Sequence, residues 1–396
     1  MMYDFDEKIE RRGTGCVKYD LLPSEFGRED LIPLWVADMD FRTPDFITDA
    51  IRRRLEHPVF GYSLIPEDYF PTIASWVRSL HGWEVSPEHI RFIPGIVKGI
   101  SMVLDCFFGK DTRVMIQPPV YHPFRIVPES MGYGVVRNPL IPEYDADGFL
   151  SGYRMDFDDM ERKLSSDPSI RVLILSNPHN PCGVAWQRGA LERLAGLAER
   201  HDILVISDEI HCEMMLGRTH IPFASVSEAA ARHSITFQAP SKTFNIAGIV
   251  SSYAIVPDKR LRDAFFGWLE AGELCSPGIF SVVATKAAYS CGRQWRDELL
   301  AYLRGNYEYL DSRLRAKIPE IRAVRPDASF LVWLDCRKLA LTQKELNSLF
   351  VGKAGLALND GEMFGSEGQG FLRLNIGCPR STLDEALSRL EAALGR

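Results

Sequence analysis

The chain reads as an α/β protein built on a mostly parallel sheet flanked by helices, with a smaller α+β part toward the C-terminus. Three observations carry that reading. Short apolar runs recur through the middle of the chain, at residues 113–117, 171–176, 203–207, 235–238 and 250–256. They are nearly continuous in apolar residues, as strands covered on both faces must be. Between them lie stretches with a 3.6-residue apolar period, which predict amphipathic helices and right-handed crossovers. Past residue 290 the pattern changes to one long helical region followed by scattered strands and turns.

The elements follow in order. The first fifty residues are rich in turns and are expected to wrap onto the C-terminal part. Ile96, Ile100, Val103, Leu104 and Phe107 form one helical stripe, and Leu191, Leu194, Ala195 and Ala198 form another. Residues 295–316 predict a long helix, and 328–334 an apolar strand. A helix near 344–354, a glycine-rich loop at 361–370, a strand at 371–375 and a last helix carrying Leu383, Ala386, Leu387 and Leu390 complete the chain. The expected organisation is an N-terminal segment at 1–50, a large domain at 51–290 and a small domain at 291–396.

Composition narrows the classes of function. The chain has 396 residues, 46% hydrophobic and 25% charged, with a formal net charge of -7. No basic run of five or more occurs, so a nucleic-acid binder is not expected. The eight cysteines form no CxxC pair, which argues against zinc and dithiol chemistry and suits a reducing, cytoplasmic setting. The N-terminus lacks the apolar core of a signal peptide, and no apolar run is long enough for a membrane span. No metal site is expected.

Several polar residues stand at the ends of the apolar runs. In open α/β sheets ligands bind outside the carboxyl ends of the strands. Lys242 lies in Ala239-Pro-Ser241-Lys242-Thr-Phe-Asn245-Ile-Ala-Gly248, just after 235–238. Alone it reads as a loop lysine. Asp208 ends the run 203–207 and reads either as a helix N-cap or as a buried partner for a cation. Asn180 lies in Asn177-Pro-His-Asn180-Pro-Cys-Gly183, a turn whose amide could also donate to a ligand. Together the three suit one chemistry. A lysine amine can hold an aldehyde as a Schiff base, and a buried carboxylate can keep a pyridine nitrogen protonated. Pyridoxal 5'-phosphate (PLP) needs both.

Further residues fit around this set. His211, three residues past Asp208, either lines the same pocket or is structural. Gly95 opens the helix with the Ile96 stripe, so the first amides, at Gly95, Ile96 and Val97, offer a phosphate site. Lys98 reads as a solvated helix residue. Tyr121 follows the run at 113–117 and either stacks on a ring or sits in the core. Arg373 lies in the apolar run Phe371-Leu-Arg373-Leu-Asn375 and needs an anionic partner, either a substrate carboxylate or a structural acid.

Over nearly its whole length the chain resembles the fold-type I PLP-dependent enzymes of the aminotransferase class I/II superfamily. Four stretches narrow this: Ser241-Lys-Thr-Phe-Asn-Ile-Ala-Gly248, Ser207-Asp-Glu-Ile-His211, Trp35-Val-Ala-Asp-Met-Asp-Phe41 and Arg373-Leu-Asn-Ile-Gly-Cys-Pro379. They are similar to those of the MalY/PatB-type cystathionine β-lyases, the cystalysin-like C–S lyases. The resemblance implies that Lys242 carries the cofactor aldehyde, Asp208 pairs with the pyridine nitrogen and Asn180 contacts the phenolate oxygen. It implies that Tyr121 stacks on the ring and that Gly95, Ile96, Val97 and Ser241 serve the phosphate. Arg373 would bind the substrate carboxylate, with Ala37, Tyr121 and Asn180 also at the substrate and the pocket walls near Trp35, Ala37 and Met363. Tyr62, in Gly61-Tyr62, would reach the neighbouring subunit's phosphate, which implies a homodimer. There is one departure: Val250 stands eight residues past the lysine, where many aminotransferases have an arginine, and Ala239 replaces a frequent serine. The implied reaction is β-elimination from cystathionine or another cysteine S-conjugate. An aminotransferase is the alternative, and a regulatory binding protein that keeps the fold is a third reading.

Overall fold

The computed structural model describes residues 2–396. A seven-stranded sheet forms its centre. The strands are β1 (Ile90–Ile93), β2 (Arg113–Ile116), β3 (Gly134–Arg137), β4 (Ile170–Ser176), β5 (Leu204–Asp208), β6 (Ser234–Gln238) and β7 (Ser252–Ile255). Their order is β1-β7-β6-β5-β4-β2-β3. From β6 to β3 the neighbours are parallel. Residues 250–256, which read like their parallel neighbours, instead form β7, antiparallel to both β6 and β1. An apolar run buried on both faces does not encode its direction.

Helices cover both faces. The ones that matter below are α1 (Tyr69–His81), α2 (Ile96–Phe107), α3 (Pro123–Ser130), α4 (Arg188–His201), α5 (Lys259–Ala271), α6 (Ile279–Cys291), α7 (Arg293–Lys317) and α8 (Arg380–Ala393). On one face Ile96, Ile100, Val103 and Leu104 of α2 pack with Val172, Ile174, Ile206 and Phe265. On the other, Leu191, Leu194, Ala195 and Ala198 of α4 pack with Leu173, Leu175 and Val205. Consecutive residues of β4 thus go to opposite cores, the period-2 consequence of a pleated strand. Each large side chain buried this way contributes roughly 1.5–3 kcal/mol. Gly99 lets α2 settle close to the sheet, because a Cβ there would lie 2.7 Å from Ile93 Cδ1.

A second sheet of four antiparallel strands is built from β8 (Arg322–Ala323), β9 (Leu331–Asp335), β10 (Asn359–Asp360) and β11 (Phe371–Asn375), in the order β8-β9-β11-β10. The strand read at 328–334 starts later, because Ser329 adopts a left-handed φ of 78°. The helix read near 344–354 is α-helical only at Gln343–Asn347 and continues as a wider π-type turn over Ser348–Lys353. The N-terminal segment pairs Ile32 and Pro33 in parallel with Leu356 and Ala357. It also reaches the large sheet's loops, since Asn245 accepts from Met39 N at 2.9 Å. All eight cysteines are free thiols, and no described helix is long and apolar enough to cross a membrane.

Candidate active site

The polar residues singled out in the sequence meet above the carboxyl ends of the parallel strands. Asp208 is the last residue of β5, in register with Ser176 of β4 and Phe237 of β6. Lys242 follows β6 by four residues, Asn180 follows β4 by four, and Tyr121 follows β2 by five. The loops are laced together: Tyr121 N donates to Asn180 O at 3.0 Å, and His179 Nε2 lies 2.8 Å from Pro119 O.

Lys242 is partly buried, and its Nζ donates to Ala37 O at 2.6 Å. Burial, with Arg373 adding to it, pushes the amine down to about 8. Such an amine keeps a substantial neutral, nucleophilic fraction near neutral pH. Asp208 is buried and accepts Ile210 N at 3.0 Å. Burial pushes its carboxyl up to about 7. Lys242 and Asp208 make no ion pair with each other, although each feels the other's charge from its neighbouring strand end.

The Lys242 loop rests on an aromatic floor. Phe244 stacks on Trp295 with centroids 5.7 Å apart, and Trp76 stacks on Tyr289 at 5.0 Å. Gly292, between α6 and α7, admits Phe244, since a Cβ there would lie 2.3 Å from Phe244 Cε1.

Arg373, at the middle of β11, enters the same space from the small sheet. It donates to Asn180 Oδ1 at 3.0 Å, Trp35 O at 3.0 Å and Asn359 Oδ1 at 2.6 Å. Its Nε is buried without a partner, and no carboxylate among the described residues pairs with it. Burial pulls its guanidinium down to about 10. The contact to Asn180 also orients that amide: Oδ1 is taken, so Nδ2 is left as the donor.

His211 is buried beside Phe330 with its Nδ1 unpartnered, and burial holds it at about 3, a neutral imidazole. Gly95 is the N-cap of α2 with φ 126°, a conformation glycine alone adopts freely. The first turn of α2 holds no acid and no side chain caps it, so the amides of Ile96 and Val97 are available to an anion. Ser241 is buried directly beside Lys242. Lys98 is exposed, and so is Val250. Tyr62 is not brought to the set within one chain: it is fully exposed, in a strip with Val59, Phe60 and Leu64.

Two neighbours carry no signal in the sequence reading. Asn359 meets Arg373 because β10 and β11 pair in the register Asn359↔Arg373. His122, next to Tyr121, is half-buried with an unpartnered Nδ1; burial, then Arg373, lowers it to about 4. Asn359 ends the apolar run Leu356-Ala-Leu358, too brief to stand out, and His122 stands in no recognisable motif.

A parallel α/β sheet with a lysine, an aspartate and an asparagine at successive strand ends, faced by a buried arginine, defines a class of enzyme. The chain belongs to the aminotransferase class I and II family, whose sequence profile matches residues 29–390. It is 43% identical to "Cystathionine beta-lyase PatB" of Bacillus subtilis (strain 168) over 392 residues, covering 99% of this chain and 100% of that one. It is 34% identical to "Protein MalY" of Escherichia coli (strain K12), covering 99% of each. Its structure superposes on that of cystalysin from Treponema denticola, which contains a pyridoxal 5'-phosphate cofactor, with a TM-score of 0.94 and 30% identity over 100% of this chain and 99% of that one.

Proposed function

We propose that the protein is a PLP-dependent carbon–sulfur β-lyase acting on L-cystathionine or a related cysteine S-conjugate. Lys242, partly buried, and Asp208, buried, stand at neighbouring strand ends without bonding to each other and carry the cofactor chemistry, and the 43% identity to "Cystathionine beta-lyase PatB" carries the lyase reading. An amine near 8 suits imine formation with an aldehyde, and a buried carboxylate suits a ring N–H⁺. Asn180 Nδ2 and the neutral His211 suit a phenolate oxygen, and Tyr121 a ring face. Gly95, Ile96, Val97 and Ser241 suit the phosphate, so the residues present fit the cofactor. When bound, PLP supplies an electron sink for the pair released at Cα.

The chain's own groups do the rest. Arg373 binds the substrate α-carboxylate with its planar fork, which fixes the orientation of the Cα–H bond. Lys242 Nζ, held near Ala37 O, takes the Cα proton as general base. Asp208 would pair with the ring nitrogen of the cofactor, where its carboxylate would favour the protonated ring. The thiolate leaves Cβ, and Lys242 returns a proton to it. The released aminoacrylate hydrolyses to pyruvate and ammonia, and cystathionine gives homocysteine.

The exposed strip around Tyr62 supports a homodimer in which each Tyr62 serves the partner's phosphate site. The eight free thiols suit a reducing, cytoplasmic compartment. The deciding experiment incubates the holoprotein with L-cystathionine and no keto acid. Pyruvate and thiol in equal amounts are expected; turnover that appears only when a keto acid is added would make the protein an aminotransferase. Borohydride reduction and peptide mapping should place the pyridoxyl label on Lys242, and a label elsewhere overturns the site.

A further inference from the structure

A second polar cavity, of about 350 Å³, shares no residue with the set around Lys242. Four arginines line it. Arg293, Arg296 and Arg304 lie at i, i+3 and i+11 on one face of α7, and Arg218 enters from the segment after β5. Their charge is poorly matched. Arg218 Nε lies 3.3 Å from Asp327 Oδ1, and Arg296 lies 2.7 Å from Asp297 Oδ1. Arg293 approaches Asp297 only at 3.9 Å. Arg304 pairs with no carboxylate among the described residues. Arg296 also faces the buried Glu213, whose backbone O accepts its Nε at 2.6 Å, so the acids near the four guanidinium groups stand at Arg218 and Arg296 and leave Arg293 and Arg304 the least matched.

α7 begins at Arg293 behind Gly292, with no side-chain cap and no acid in its first turn. His81, at the end of α1, stands edge-on to His220 at 5.1 Å. Neither nitrogen of His81 has a partner, and burial, then His220, Arg296 and Arg293, keep it neutral. His220 Nε2 is committed to Glu209 Oε2 at 2.8 Å. A concave, under-compensated array of forked donors matches an oxyanion carrying more than one negative charge.

We propose that this cavity is a binding site for a small multivalent oxyanion, a phosphate or polycarboxylate group gripped by Arg293, Arg304 and Arg218. Isothermal titration of the holoenzyme with inorganic phosphate, pyrophosphate and citrate at low ionic strength tests it. The expected result is one bound anion per chain, weakening as salt is added. The phosphate and citrate arms then distinguish a phosphate ester from a polycarboxylate as the ligand. Affinity should fall about tenfold or more in Arg293→Gln/Arg304→Gln, since each lost fork removes a charge-assisted bond. Arg304→Glu, at an exposed helix position, gives the same loss in a chain that keeps its fold. Arg373 is intact in both variants, so a loss of binding reports on this cavity and not on the Lys242 site. Equal affinity in wild type and both variants, or no binding of any of the three anions, overturns the proposal.

Discussion

Replacing Arg373 by lysine keeps the positive charge but removes the planar fork. In the structure this guanidinium is buried, paired with no acid, and held in place by Asn180, Trp35 and Asn359. Three of its five N–H groups serve these partners, so two, on Nε and Nη1, remain for a substrate carboxylate. Lysine supplies one, so about one charge-assisted bond is lost, worth roughly 1.5–3 kcal/mol. At about 1.4 kcal/mol per factor of ten, kcat/KM for L-cystathionine should fall about 10- to 150-fold. Arg373→Ala, which loses both bonds and frees Asn180 Oδ1, should fall further, by about two to four powers of ten. The assay is pyruvate release coupled to lactate dehydrogenase, with thiol release measured in parallel. Borohydride labelling at Lys242 shows that the variants still bind cofactor. A labelled Arg373→Lys enzyme with kcat/KM within twofold of wild type would refute the assignment of this arginine to the substrate carboxylate.

Burial raises Asp208 in the folded, cofactor-free chain from 3.8 to about 7. The folded form therefore holds this proton more tightly than the unfolded form, so its contribution is fully present below about pH 4 and is lost as the pH rises through about 7. Lys242 does not titrate in this window, since its folded value of about 8 and ordinary value of 10.5 both lie above it. Relative to Asp208→Asn, the cofactor-free wild type should lose up to about 4 kcal/mol between pH 4 and pH 7, at about 1.4 kcal/mol per unit; urea midpoints that keep a constant difference would contradict this. If Tyr62 completes the partner's site, mixing Lys242→Ala and Tyr62→Ala chains should restore roughly a quarter of the wild-type activity, because one site in each mixed dimer is intact. No recovery above either parent rules out the shared site. Gly292→Ala should destabilise the fold by about 1–3 kcal/mol through overpacking, because the new Cβ would lie 2.2 Å from Ala288 O and 2.3 Å from Phe244 Cε1; a denaturation midpoint equal to wild type would show that the loop yields.

The architecture and the chemical set were legible in the sequence because both rest on local pattern. Runs buried on both faces are continuously apolar, so β2, β4, β5 and β6 announce themselves. The polar residue that ends each run marks a strand end, where ligands bind in a parallel sheet. Lys242, Asp208, Asn180 and Tyr121 were found in this way, and Gly95 by the helix it opens. What depends on pairing across the chain could only be decided by the tertiary structure. Asn359 reaches Arg373 through strand register, and Ala37 O reaches Lys242 across 205 residues of sequence. The antiparallel direction of β7 has no local signature, since a doubly buried strand is apolar whichever way it runs. Burial decided the ionisation of Lys242, Asp208 and Arg373, because desolvation depends on what the rest of the chain packs around a group and not on its neighbours in sequence.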